Sequence, residues 1–180
     1  HMNSFILWLA QGGGSGRIPH GPGTFGSLVG MLWFCALLLP GSPWIFAAGV
    51  LASVFLSVWV CGRAEIILGQ EDPGSVVLDE IIAIPICFAW WLGVLFFQKG
   101  IWPGAAYFFT GRGMLMTAAV FVLFRIADIA KPWPVSQSQS LHGGWGVTLD
   151  DVLAALYVNV VLALAWWWRP EWFGEGSERV

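Results

Sequence analysis

Charge is what this sequence has least of. Acidic and basic residues together make up 11% of its 180 positions, against about 25% in an ordinary soluble domain. Only 8 residues are Lys or Arg and the formal net charge is -3. That leaves no basic stripe to meet a phosphate backbone and excludes a nucleic-acid partner. Cysteine is scarce as well. Cys35, Cys61 and Cys87 each lie inside an apolar run and form no CxxC or Cys/His spacing, which excludes a disulfide scaffold and a thiolate metal site. Disorder needs low hydrophobicity and high charge; this chain is 57% hydrophobic, with a mean hydropathy of +0.73.

What is there is apolar and aromatic. Thirteen Trp and thirteen Phe outnumber the 8 basic residues, a balance that belongs to one small integral membrane domain. His1-Met2 reads as a cloning scar, and residues 171–180 as a polar tail. A spanning helix needs about 20 apolar residues. Candidate spans are Phe25–Leu39, Pro43–Cys61, Val76–Phe97, Met114–Ala127 and Val152–Trp168. The expected architecture is an all-α polytopic bundle of about five hydrophobic helices, with a polar site at one membrane face. The first and fourth runs are short: about 15 residues cover about 22 Å, less than the ~30 Å hydrocarbon core. Four spans and a re-entrant piece are the alternative. Phe5–Ala10 is too short to span and reads as a partial surface helix.

The few charges are not scattered. Asp79-Glu80 opens the third run, Arg125, Asp128 and Lys131 close the fourth, and Asp150-Asp151 opens the fifth. With the connections alternating across the membrane, all of these fall on one side, the side of the Gly/Pro-rich loops. Arg125 and Asp128, at i and i+3, share a helix face. Ionisable groups at membrane depth are functional candidates by default. Carboxylates gathered together repel unless a cation neutralises them, and a hard divalent ion such as Mg²⁺ takes oxygen ligands of this kind. Each group also has a plainer reading. Asp150-Asp151 suits a helix N-cap and first turn, Asp79-Glu80 likewise, and Arg125–Asp128 suits a buried structural pair. Their joint occurrence in so uncharged a chain favours one shared site.

Two loops could hold an anion. Pro22-Gly23-Thr24-Phe25-Gly26-Ser27 leads into the first span, where small residues expose backbone N–H groups at a helix start; the plainer reading makes Thr24 the N-cap. His142-Gly143-Gly144-Trp145-Gly146 reads as a flexible turn before the aspartate pair, with His142 able to meet phosphate. The Gly12–Gly16 loop lacks the ending of a P-loop.

These motifs, together with Arg125-Ile126-Ala127-Asp128-Ile129-Ala130-Lys131-Pro132-Trp133-Pro134 and the run from His142 to Asp151, stand in an order that resembles the phosphatidylglycerophosphatase A family. The resemblance runs from about Gly16 to Tyr157. It implies a bacterial inner-membrane, Mg²⁺-dependent lipid phosphatase that converts phosphatidylglycerophosphate to phosphatidylglycerol and phosphate, with its active site facing the cytoplasm. On that reading Asp79, Glu80, Asp128, Asp150 and Asp151 serve the metal and the attacking water, with Lys131 beside them. Gly23, Thr24, Gly26, Ser27, Arg125, Lys131 and His142 serve the phosphate. The alternative from another class is a small ion- or proton-coupled transporter using the same acids as a relay; a structural subunit with acids as caps is a third. A transporter would want polar groups through the depth of its spans, and the acids here lie to one side.

Overall fold

The computed structural model describes residues 2–138, 140–141 and 143–173. Helix α1 runs Met2–Ala10, α2 Pro22–Leu38, α3 Pro43–Leu68, α4 Leu78–Cys87, α5 Ala89–Lys99, α6 Gly111–Ala130, α7 Val135–Ser138 and α8 Gly144–Trp168, with short 3-10 turns between and after them. There is no strand among the described residues, so the fold is an all-α bundle. Four stretches are long and apolar enough to cross a membrane: α3, α4–α5 taken together, α6 and α8. Helix α2, at 17 residues, is shorter. The chain is thus a multi-pass membrane protein.

Local chemistry sets the helix ends. Ser42 caps α3, its hydroxyl accepting from the N–H of Ile45, and Pro43 fills the first helical position, where a missing N–H is harmless. Gly69 ends α3 in the left-handed conformation. Lys131 ends α6 in that same conformation, at φ 42°, which is uncommon for a residue with a side chain. Three sequence expectations need correcting. Thr24 is not the cap of α2: the helix starts at Pro22 behind Gly21, so Thr24 lies inside its first turn, exposed. Gly144-Trp145-Gly146 is not a flexible turn, and Asp150-Asp151 does not cap the last helix. Helix α8 already begins at Gly144, which places the aspartates well inside it. The physical reason is packing. A methyl group on Gly144 would lie 1.8 Å from the carbonyl oxygen of Val58 and 2.7 Å from the backbone nitrogen of Gly62. Bare backbone lets α8 cross α3 at contact, and that contact offsets the low helix propensity of the glycines.

Helix α4 is the central element. Leu78, Asp79 and every residue from Ile81 to Cys87 are buried, between α2, α3, α6 and α8. The outer helices keep one apolar face outward, as lipid contact requires: Leu28 and Leu32 on α2, Leu51, Phe55 and Trp59 on α3, Leu115 and Ile126 on α6, Val160 and Leu164 on α8 are exposed. Far from the acids the core is aromatic. Phe34 stacks on Phe88 with ring centroids 4.2 Å apart, and Phe108 meets both edge-on, an arrangement favoured beyond simple area burial. Helix α1 is shorter than a span and buries Ile6 and Ala10 against α3, with Phe5 and Trp8 outward.

Candidate active site

The starts of α2, α4 and α8 and the end of α6 meet at one end of the bundle, and the charged residues singled out above lie there. Asp79 and Glu80 stand in the first turn of α4. Asp151 projects from α8, and carboxylate oxygens of Asp79, Glu80 and Asp151 all lie within 4.8 Å of one another. Asp128 adjoins Asp151. Arg125, one turn before Asp128 on α6, puts Nη1 2.8 Å from Asp128 Oδ2 and 3.9 Å from Glu80 Oε1. The same Nη1 donates to the Ser27 hydroxyl at 3.4 Å, and that hydroxyl donates to the carbonyl of Gly23 at 2.8 Å.

Asp150 turns to a different partner. Lys131 Nζ donates to Asp150 Oδ2 at 2.7 Å, and Asp150 Oδ1 accepts from the N–H of Asp151 at 2.9 Å. The left-handed backbone of Lys131 ends α6 at this point. Burial opposes the charge of the Lys131 ammonium, but the hydrogen bond and negative charge of Asp150 outweigh it, so its pKa is raised above the usual lysine value. Asp72 adds negative charge near the same pair. That residue was not singled out from the sequence. It too has a positive φ, of 44°, and its N–H donates to Glu65 Oε1 at 2.9 Å. A polar cavity of about 270 Å³ opens alongside, lined by Glu65, Glu71, Asp72, Ser140 and Gly146 among others.

The Pro22–Ser27 segment divides. Gly23 and Ser27 face the charged cluster; a methyl group on Gly23 would sit 2.3 Å from Glu80 Oε1 and 3.0 Å from Arg125 Nη2. Gly26 packs on Val77 instead, and the Thr24 side chain is exposed. His142 lies outside the described residues. Asn159, not among the residues singled out from the sequence, makes three side-chain hydrogen bonds.

This donor set suits a hard divalent cation. Asp79 Oδ1, Glu80 Oε2 and Arg125 Nε are buried without a hydrogen-bond partner among the described residues. A buried carboxylate keeps its charge only when it is paired or coordinates a cation, and otherwise takes up a proton. Clustered, purely oxygen ligands are what Mg²⁺ takes.

Comparison with known proteins places the chain. A family model described as phosphatidylglycerophosphatase A matches residues 8–166. The chain belongs to the phosphatidylglycerophosphatase A family. It is 32% identical to phosphatidylglycerophosphatase A of Escherichia coli, over 82% of this chain and 76% of that one. It is 35% identical to phosphatidylglycerophosphatase A of Haemophilus influenzae, over 90% of each. A Bacteroides thetaiotaomicron protein, provisionally described as a phosphatidylinositol-3-phosphatase, is 36% identical over 91% of this chain and 96% of its own length. No solved structure matches the chain. Membership of this family makes the protein a phosphatase, and its buried cluster of acids is the candidate place for the reaction.

Proposed function

We propose that this protein is a Mg²⁺-dependent lipid phosphatase that hydrolyses phosphatidylglycerophosphate to phosphatidylglycerol and phosphate. The observation that carries the proposal is the trio Asp79, Glu80 and Asp151, with oxygens within 4.8 Å of one another and two buried carboxylate oxygens that have no hydrogen-bond partner among the described residues. The trio lies at the end of the bundle, where the headgroup of a membrane lipid sits.

Asp79, Glu80 and Asp151 would hold the metal, with Asp128 beside them. A bound divalent ion supplies charge neutralisation to the phosphoryl oxygens and lowers the pKa of a water. The remaining steps belong to the chain. Arg125, braced by Asp128 and Ser27, presents its guanidinium at the edge of the cluster, where it meets phosphate oxygens in the bidentate fashion of that group. Lys131, fixed by Asp150, offers a second positive charge. Gly23 leaves room for the Glu80 carboxylate and the Arg125 guanidinium to pack against the bare backbone of α2. A cluster carboxylate takes the proton of the attacking water, the bond from phosphorus to the lipid oxygen breaks as the new one forms, and the same carboxyl returns its proton to the departing lipid oxygen, which leaves as the free hydroxyl. Uncatalysed hydrolysis of a phosphate monoester is so slow that the enzyme must remove on the order of 20 kcal/mol of barrier, which calls for this density of charge. Direct water attack is favoured over a covalent step at Thr24, because that side chain is exposed and has no base beside it in sequence.

The transporter reading is weaker. Between the acids at one end and Lys99, Arg112 and Arg169 at the other, the spans carry no carboxylate, lysine, arginine or histidine. Substrate made at the cytoplasmic face of a bacterial inner membrane would place the acid end there. Cysteine-accessibility labelling of the Gly69–Val77 connection tests this: labelling from outside intact cells would reverse the orientation. For the metal, thermal unfolding in detergent is the test. Mg²⁺ should raise the Tm of the wild type and leave that of Asp151→Asn unmoved; equal shifts in both would remove the trio as the metal site.

A further inference from the structure

Asn159 sits two turns deeper than Asp151 on the same face of α8, at i+8. Its side-chain Oδ1 accepts from the N–H of Trp90 at 2.7 Å. Its Nδ2 donates to the carbonyl of Ile86 at 2.8 Å and to that of Ala155, in its own helix, also at 2.8 Å. The carbonyl of Ile86 and the N–H of Trp90 stand at i and i+4. In an unbroken helix they would bond to each other. The amide of Asn159 therefore occupies the place of one rung in the ladder, at the point where the Leu78–Lys99 span divides into α4 and α5. Pro85, which lacks an N–H, removes the rung to the carbonyl of Ile81 in the turn before. A side chain inserted into the ladder is a recognised cause of a sharp helix bend.

We infer that Asn159 is a positioning residue: its inserted amide holds the break between α4 and α5 and fixes α4 against α8, so that Asp79 and Glu80 meet Asp151. The register supports this. Helices α4 and α8 both start at the acid end, and Ile86 lies seven residues beyond Asp79 as Asn159 lies eight beyond Asp151, about 10 and 12 Å along their axes. The two helices are thus pinned at two levels, by the acids and by the amide. Backbone satisfaction alone does not explain the asparagine. Without it the carbonyl of Ile86 and the N–H of Trp90 have each other, and the helix can close. What the asparagine adds is the open form of the ladder.

For its kinetic consequence, though not its structural one, this inference rests on the phosphatase reading. The test uses the full chain in detergent, with Cys35→Ala and with spin labels attached through Lys99→Cys and Arg169→Cys. Helix α5 has 11 residues, about 16 Å, so a change of about 20° in its direction, the size that marks a helix kink, moves its far end by about 5 Å. Asn159→Ala is expected to shift the interspin distance by about that much. It should also lower kcat at least tenfold with little change in KM, since misplacement near 1 Å can remove about 10²-fold. Asn159→Gln, which keeps donor and acceptor, should recover most of both. Thr117→Val, which removes a buried hydrogen bond to the carbonyl of Phe108 at the other end of the bundle, should lower Tm while moving neither distance nor kcat. An Asn159→Ala protein with wild-type distance and wild-type kcat would overturn the inference. If that variant does not fold, Asn159→Ser is judged by the same two readings. If the wild type itself releases no phosphate, the phosphatase reading fails, and the distance alone still decides whether the amide holds the break.

Discussion

Adding a single methyl group at Gly23 should separate the site's chemistry from the fold's stability. A Cβ there would lie 2.3 Å from Glu80 Oε1, and 3.0 and 3.1 Å from the two terminal nitrogens of Arg125. An ordinary carbon–oxygen contact begins near 3.4 Å, so Glu80 or the start of α2 must retreat by roughly 1 Å. A displacement of that size at a reacting centre can remove about 10²-fold of rate. The effect on stability is smaller and mixed. Overpacking costs about 1–3 kcal/mol, while exchanging Gly for Ala inside a helix returns up to about 1 kcal/mol. Gly23→Ala is therefore expected to stay folded, to lose kcat by about 10²-fold, and to shift Tm by only a few degrees. The assay is phosphate release from mixed detergent–lipid micelles, with kcat and KM separated and Tm measured on the same preparation. Gly93→Ala is the control, because nothing lies within 4 Å of a methyl group at Gly93; it should keep full activity. A Gly23→Ala enzyme with kcat within threefold of wild type would refute the claim that the reaction needs Glu80 and Arg125 seated against the bare backbone of α2.

Other outcomes follow from the same geometry. Asp128→Asn should abolish turnover and retain the fold, and it would also weaken the hold on Arg125; retained turnover would remove Asp128 from the site. Lys131→Met should lower kcat and destabilise modestly, by about 1–3 kcal/mol for a hydrogen-bonded ion pair that is partly solvent-screened, as chemical denaturation can measure. Ser57→Ala breaks the buried Ser57–Thr148 hydrogen bond of 3.0 Å between α3 and α8 and should cost about 1 kcal/mol with activity kept. Gly144→Ala should prevent folding, because its methyl group would fall 1.8 Å from the backbone oxygen of Val58, which cannot move aside alone; a folded, active Gly144→Ala protein would contradict the α3–α8 crossing.

Much of this was legible in sequence, because membrane burial makes every charge conspicuous. Asp79-Glu80, Arg125, Asp128, Lys131 and Asp150-Asp151 stood out against an apolar background, and the structure gathers them at one end of the bundle. The division of labour among them was not legible. Nothing in the Asp150-Asp151 pair says that one joins Glu80 and the other takes Lys131; that depends on the rotation of α8. Helix starts were misread where glycine was taken as a breaker. At Gly144 the absent side chain serves a helix crossing, an effect of tertiary contact that outweighs local propensity. Asn159 was hidden because its partners are backbone groups of another helix, 73 and 69 positions away, and backbone groups leave no trace in residue type. The break at Phe88 was missed for the same reason: the run from Val76 to Phe97 is evenly apolar, and Pro85 alone does not locate the bend.

The most direct test is phosphate release from phosphatidylglycerophosphate by the purified protein, with Mg²⁺ and then with EDTA, in the wild type and in Asp79→Asn. The account predicts release that requires the metal and disappears in the variant, while both proteins unfold cooperatively. Release that persists in EDTA, or that survives in Asp79→Asn, would contradict a metal-assisted hydrolysis centred on Asp79, Glu80 and Asp151.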